Sequence, residues 1–170
     1  MYKSKNGFTL LELLVVVLII GILVAIALPQ YQLAVLKSKY STMKDIVRVV
    51  SDAQQRYYIL HNDYAVSFND LDITYPGIYK NTVDGSNIKI NGGYCSLDWW
   101  KNSVSEKGII CVLYGTPKIS YMKHFNNGRR SCRVIGVTNG QTNTIPDKIC
   151  QQETGQTTPS FNTDSNYYYY

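Results

Sequence analysis

Residues 8–28 leave a folding chain few choices: over this run of 21 residues the only polar side chains are Thr9 and Glu12. At about 1.5 Å of rise per residue such a run makes a helix on the order of 30 Å long, enough to cross the hydrocarbon core of a bilayer. The short segment before it, residues 1–7, carries Lys3 and Lys5. By the positive-inside rule that end stays cytoplasmic and the C-terminal bulk lies outside. A secretory signal peptide is the rival reading. Its small-residue cleavage site should follow the apolar run, whereas this run continues through Ala27-Leu28-Pro29 into more helical pattern.

The remainder of the 170 residues is enough for one ordinary domain. Fifteen tyrosines beside only 17% charged residues argue against an intrinsically disordered chain and suit a β-rich domain outside the cytoplasm. No tandem period marks a solenoid or collagen. Within the apolar run Glu12 is anomalous, because an acid inside a spanning helix costs roughly 2.5 to 3.5 kcal/mol at the centre and therefore asks for a partner. Snorkelling to the interface one turn into the helix is its bland explanation.

The string Lys5-Asn6-Gly7-Phe8-Thr9-Leu10-Leu11-Glu12-Leu13-Leu14, followed by an apolar helix, resembles the class III leader of type IV pilins and type II secretion pseudopilins. The resemblance is strong to about Tyr31 and looser along the next helix. It implies that a prepilin peptidase cuts between Gly7 and Phe8 and, as N-methyltransferase, methylates the new amine of Phe8. Gly7 suits a protease cleft because it brings no side chain there. The resemblance further implies that Glu12 pairs with the Phe8 ammonium of a neighbouring subunit, with the Thr9 hydroxyl nearby. In a dry filament core, removing one partner of such a pair costs about 3 to 5 kcal/mol. Gly21 and Pro29 fall where the family carries a helix break that can melt in filaments; a simple proline kink is the other reading.

Beyond the membrane segment Leu36, Tyr40, Met43, Val47, Val50 and Tyr57 recur at helical spacing, while Asp45, Arg48, Asp52 and Arg56 alternate in sign on the opposite, solvated face. Such a stripe needs a covering layer, and a sheet is expected to supply it. His61-Asn62-Asp63 reads as a helix exit, with turn signals following at Tyr75-Pro76-Gly77 and Asp84-Gly85-Ser86. Strands are expected at 87–91, 94–100, 108–114, 118–125 and 130–137, with links short enough for antiparallel pairing. The expected fold class is α+β and type IV pilin-like: a long N-terminal helix on an antiparallel sheet, stapled by disulfides. Its expected parts are a cleaved leader 1–7, a membrane and assembly helix 8–30 and a globular domain 31–150. That domain comprises helix 31–60, loop 61–86, sheet 87–137 and a disulfide loop 132–150, and a disordered tail 151–170 follows it. The four tyrosines that close the sequence, residues 167–170, could form a sticky patch.

Cys95, Cys111, Cys132 and Cys150 all follow the spanning helix, on the oxidising side. Of three possible pairings the preferred one joins Cys95 to Cys111 across a hairpin and Cys132 to Cys150 around a C-terminal loop. Zinc is the alternative, but there is no CxxC or HxxxH, and His61 and His124 are the only histidines. No metal, cofactor or catalytic constellation is expected, since no Gly-x-Ser-x-Gly, phosphate loop or HExxH occurs.

From Lys107 to Pro146 there are six basic residues and no acid. Lys118, Lys123, Arg129, Arg130 and Arg133 are therefore a candidate anion or DNA face. An exposed, edge-protecting polar face is the commoner use of such alternation. The functional reading is a structural subunit, processed by prepilin peptidase, held in the inner membrane with its C-terminus outside the cytoplasm, and polymerised into a helical filament. Its expected partners are membrane lipid, an inner-membrane assembly platform and other pilin subunits. A type II secretion pseudopilin and a DNA-capturing minor pilin are the alternatives; scattered Asp147, Glu153 and Asp164 weaken the calcium loop expected of the former.

Overall fold

The computed structural model describes residues 8–74, 79–80, 85–97, 107–138, 141–162 and 164–170. The expected leader 1–7 with Gly7, the Tyr75-Pro76-Gly77 turn, Asp84 and the 98–100 end of the second expected strand lie outside the described residues. The chain divides into two compact units, Met1–Val35 and Leu36–Tyr170. Helix α1, Leu10–His61, contributes its first part to one and its second to the other.

In this single chain α1 passes unbroken through both Gly21 and Pro29. Proline removes one amide donor and crowds one carbonyl. The Leu, Ile, Val and Ala residues on either side keep every other turn of the ladder. Gly21 costs only about 1 kcal/mol of helix propensity against alanine.

In the second unit α1 buries Tyr40, Met43, Ile46, Val47, Val50, Ser51, Ala53 and Gln54. Tyr40, Met43, Val47 and Val50 belong to the expected stripe, whose outer members Leu36 and Tyr57 are only half-buried. Asp45, Arg48, Asp52 and Arg56 are exposed, as a solvated face requires. Two polar side chains enter the stripe with partners: Ser51 Oγ donates to the Val47 carbonyl at 2.6 Å. Gln54 donates to the Ala65 carbonyl and accepts from the Ala65 amide, each at 2.9 Å. The buried amide thus clamps the segment leaving the helix, and a 3-10 turn at Phe68–Asp70 then buries Phe68.

Among the described residues the sheet has eight antiparallel strands: β1 Tyr79–Lys80, β2 Asn87–Ile90, β3 Gly93–Ser96, β4 Gly108–Leu113, β5 Lys118–His124, β6 Arg130–Ile135, β7 Ser160–Asn162 and β8 Ser165–Tyr169. Their order is β1-β2-β3-β4-β5-β6-β8-β7. Close strand approach explains Gly93, where a Cβ would lie 1.9 Å from the Val112 carbonyl oxygen. Tyr121 sets the face turned to α1, its ring meeting Tyr40 edge-on at 6.1 Å. By strand alternation Ile119 and Lys123 share that face, and register adds Cys95, Cys111 and Cys132. On the other face Ile110, Val112 and Met122 form a buried apolar cluster, with Tyr94 and Ile135 packed on it.

The expected disordered tail is instead ordered, holding the end of a helix and two strands of the sheet. Helix α2, Ile145–Thr154, opens with a capping box in which Thr144 and Asp147 bond reciprocally, and closes on Gly155 in the left-handed conformation. Strands β7 and β8 follow, and β8 lies beside β6 in the sheet. Asp147 is completely buried and joins the pieces: it accepts from the Thr144 hydroxyl, from Asn166 Nδ2 at 2.9 Å and from the Tyr168 hydroxyl at 2.8 Å. A polar composition suggested solvation, yet Asn166 and Tyr168 both donate to the buried Asp147 carboxylate, and those bonds offset part of the cost of burying them.

Cys95 is bonded to Cys111 directly across the β3–β4 pair, and Cys132 of β6 to Cys150 of α2 with their Cα atoms 5.4 Å apart. The second closes a separation of 18 residues. Replacing both Cys132 and Cys150 by serine should lower stability by about 3 kcal/mol in the chain-entropy account. Urea unfolding in detergent, followed by tyrosine fluorescence, measures it.

Alkaline pH tests the packing of β8. Tyr170 contacts Tyr40 through their hydroxyls at 3.2 Å and meets Tyr121 edge-on at 5.7 Å. Burial pushes the Tyr170 hydroxyl up from 10.0 to about 12, and burial likewise raises Tyr40 and Tyr168. A raised acid is neutral when folded, so its contribution is complete below about pH 10 and disappears as pH climbs through about 12. Stability should therefore be flat below pH 10 and fall across pH 10 to 12, with a smaller fall in Tyr170→Phe.

Candidate functional site

The N-terminal helix offers the chemistry the sequence singled out. Residues 10–32 of α1 are exposed at every position, as are Phe8 and Thr9 before it. Leu10, Leu11, Ile22, Leu23 and Ile26 illustrate the side chains that this leaves uncovered. Within the described residues this is the one helix long and apolar enough to cross a membrane. Its exposure is the geometric statement of what the composition implied: the surface is satisfied only by lipid or by other apolar helices.

Thr9 and Glu12 close the start of that helix. The Thr9 amide donates to Glu12 Oε2 at 2.8 Å, the Thr9 hydroxyl donates to the same oxygen at 2.7 Å, and the Glu12 amide donates to the Thr9 hydroxyl at 3.3 Å. This is the reciprocal pattern of a capping box, with threonine before the first turn and an acid three residues on. It gives the anomalous carboxylate a local partner inside its own chain and satisfies orphan amides at the helix start. Both bonds to the carboxylate fall on Oε2. The ring of Phe8, the residue before this cap, is 73% exposed. The cap was legible as Thr9-x-x-Glu12, a signal the sequence reading used only for assembly.

The five cations of the candidate anion face are not brought onto one face. Lys123 lies opposite Arg130 on the α1 side of the sheet, while Lys118 and Arg133 share the other side through Ser120, and Arg129 precedes β6. The arginines are spoken for by the tail: the guanidinium of Arg129 stands 6.0 Å from the Tyr169 ring, Arg130 4.9 Å from Tyr170 and Arg133 4.9 Å from Tyr167. Arg133 also donates to Ser165 Oγ at 2.9 Å and stands 3.6 Å from Asp164. Lys107, the sixth cation of the run, pairs with Asp63 at 3.0 Å, which holds the Asp63 carboxyl below its usual range. The acids that balance the run come from outside it, so a count along the chain could not see them. Among the described residues no group of three or more His, Cys, Asp or Glu could hold a metal ion.

Comparison with known proteins picks out this N-terminal segment through a family profile and adds several fimbrial relatives. The family profile described as the prokaryotic N-terminal methylation motif matches residues 2–28. A fimbrial protein of Pseudomonas aeruginosa is 50% identical over 50 residues, 29% of each chain. The type IV major fimbrial protein FimA of Dichelobacter nodosus is 49% identical over 55 residues, 32% of this chain and 31% of its own. The fimbrial protein EcpC of Eikenella corrodens is 38% identical over 94 residues, 53% of this chain and 60% of its own. The match thus spans less than a third of the first two relatives and under two thirds of the third. No solved structure matches the chain. Residues 2–28 thus carry the prokaryotic N-terminal methylation motif, and the chain, with its exposed apolar helix leading into an α+β unit stapled by two disulfides, is similar over part of its length to type IV fimbrial proteins.

Proposed function

We propose that the chain is a structural subunit of a type IV pilus-like filament, not an enzyme. It is cut between Gly7 and Phe8 by a prepilin peptidase, methylated on the Phe8 amine and held in the inner membrane by residues 8–30. Its globular part lies outside the cytoplasm, and an inner-membrane platform polymerises it through the N-terminal helix. The observation that carries this reading is the uncovered apolar helix headed by Thr9 and Glu12. An apolar rod open on every side is a liability in a soluble monomer and an asset in a bundle of such rods. Cleavage before Phe8 would place a new ammonium four residues from the Glu12 carboxylate. A neighbouring subunit's ammonium can then compensate that charge in the dry centre of a filament, and mispacked registers would leave it buried alone.

Mass spectrometry of sheared filaments should find an N-terminus at methylated Phe8, and an intact Met1 in the filaments would overturn the processing step. Replacing Glu12 by leucine should leave membrane insertion intact, since it removes a cost of roughly 2.5 kcal/mol or less near the helix edge. The same variant should reduce filament yield at least tenfold, which corresponds to about 1.4 kcal/mol and is well within the cost of one broken pair. Wild-type yield from Glu12→Leu would remove the ion pair from the mechanism.

A further inference from the structure

Four exposed lysines gather at one end of the Leu36–Tyr170 unit, drawn from three different elements. On α1, Lys37 and Lys39 stand in its first turn within this unit, and Lys39 Nζ reaches to 3.9 Å of where a Cβ on Gly92 would be. Gly92, in the β2–β3 turn, accepts from the Tyr114 amide at 2.8 Å. The ring of Tyr114 lies against Tyr94 at 6.0 Å, and Tyr94 is directly opposite Lys89. Lys118 opens β5 just across the turn from Tyr114, which is itself 59% exposed. Asp164, beside the start of β8 and so at the same end of the sheet, is occupied by Arg133 and Ser165. Glu153 is occupied by Lys44, and Asp45 stands on the exposed face of α1 more than a turn beyond Lys39.

We propose that this end of the unit rests on the headgroups of an anionic phospholipid bilayer while the chain is held in the membrane. The inference builds on the membrane-crossing reading of residues 8–28. Charge complementarity and chain continuity both select lipid as the occupant. Lys37 follows Leu28 by nine residues, about 13 Å of helix, and its side chain adds further reach. That is comparable with the Debye length of about 10 Å at 0.1 M salt, so headgroup phosphates act on these ammonium groups. Lysine stems snorkel along apolar surface toward such an interface, and an exposed tyrosine beside them is the residue type that settles at headgroup level. Each lysine then adds electrostatic attraction to anionic lipid.

The test uses the full chain in nanodiscs of neutral phosphatidylcholine, and of phosphatidylcholine mixed with phosphatidylglycerol, read by amide hydrogen exchange. In the anionic discs the β2–β3 turn at Asn91-Gly92 and the amides of Tyr114, Gly115, Thr116 and Lys118 should exchange on the order of fivefold more slowly than in neutral discs. That protection should vanish at roughly 0.5 M salt, where screening shortens to a few ångström. It should also vanish in the Lys39→Gln, Lys118→Gln double variant, and persist in Lys123→Gln, altered at the other end of β5. Unchanged exchange in β6 and β8 shows that the variants are folded; should the double variant fail this check, the salt titration of the unaltered chain decides. Equal exchange in both discs by inserted protein overturns this inference alone, as does protection insensitive to salt, which would point to a neighbouring copy as the contact. Failure to insert in either disc overturns the membrane-crossing reading and this inference with it.

Discussion

One buried stripe of α1 organises the globular unit. From Tyr40 to Gln54 the helix presents Met43, Ile46, Val47, Val50 and Ala53 to the sheet, each at most 4% exposed. Burying a side chain of this kind contributes about 1.5 to 3 kcal/mol for the larger members. The two ends of the stripe are tied differently. At one, Gln54 substitutes its side-chain amide for a strand partner of Ala65; at the other, Tyr40 gathers Tyr121 and Tyr170, linking α1 to β5 and to the residue that follows β8. Ordering eight strands costs much conformational entropy, and only a common apolar surface spanning several of them offsets it.

The same helix behaves oppositely in its first half, and the cause is composition alone. From Leu13 to Leu28 the side chains are apolar around the full circumference, so no single covering layer could bury them; after Leu36 polar residues occupy one face and leave a stripe. Pro29 lies close to this change of character without interrupting the helix. In the first half the one carboxylate that would be costly in lipid, Glu12, has its charge met by the Thr9 amide and hydroxyl.

Much of this was legible in the chain. The apolar run, the leader-like string, the stripe on α1 and five of the strands follow from periodicity and turn residues, because each depends on neighbours close in sequence. The tail was misread although its signals were present: Thr144-Ile145-Pro146-Asp147 is a capping box with proline in the first turn, and Gly155 marks the stop. What composition hid was the partnership of Asp147 with Asn166 and Tyr168, residues 19 and 21 positions away. Polar residues read as solvated until long-range partners are known, and a single sequence does not list them. The basic run failed as a face for a related reason: strand alternation sends neighbours to opposite sides, which the register makes visible and a count of charges does not.

Those two misreadings have a common physical root, and it shows what the basic run does instead. Arg129, Arg130 and Arg133 lie at the start of, or within, the strand against which β8 pairs, and each sets its guanidinium over a tyrosine of the tail. A guanidinium keeps its charge hydrated at its edges while its plane covers an aromatic face, so β8 gains a cover that does not require a second apolar layer. Lysine, a compact and strongly hydrated charge, would cover less ring at those positions. The Cys132–Cys150 bond then ties β6 to α2, and Asp147 of α2 holds Asn166 and Tyr168 of β8 from the other side. The tail is therefore fastened by arginines over Tyr167, Tyr169 and Tyr170 and by a buried acid that holds Asn166 and Tyr168. A segment with few aliphatic residues becomes an interior strand because two different kinds of polar partner, guanidinium groups and a buried carboxylate, meet its side chains.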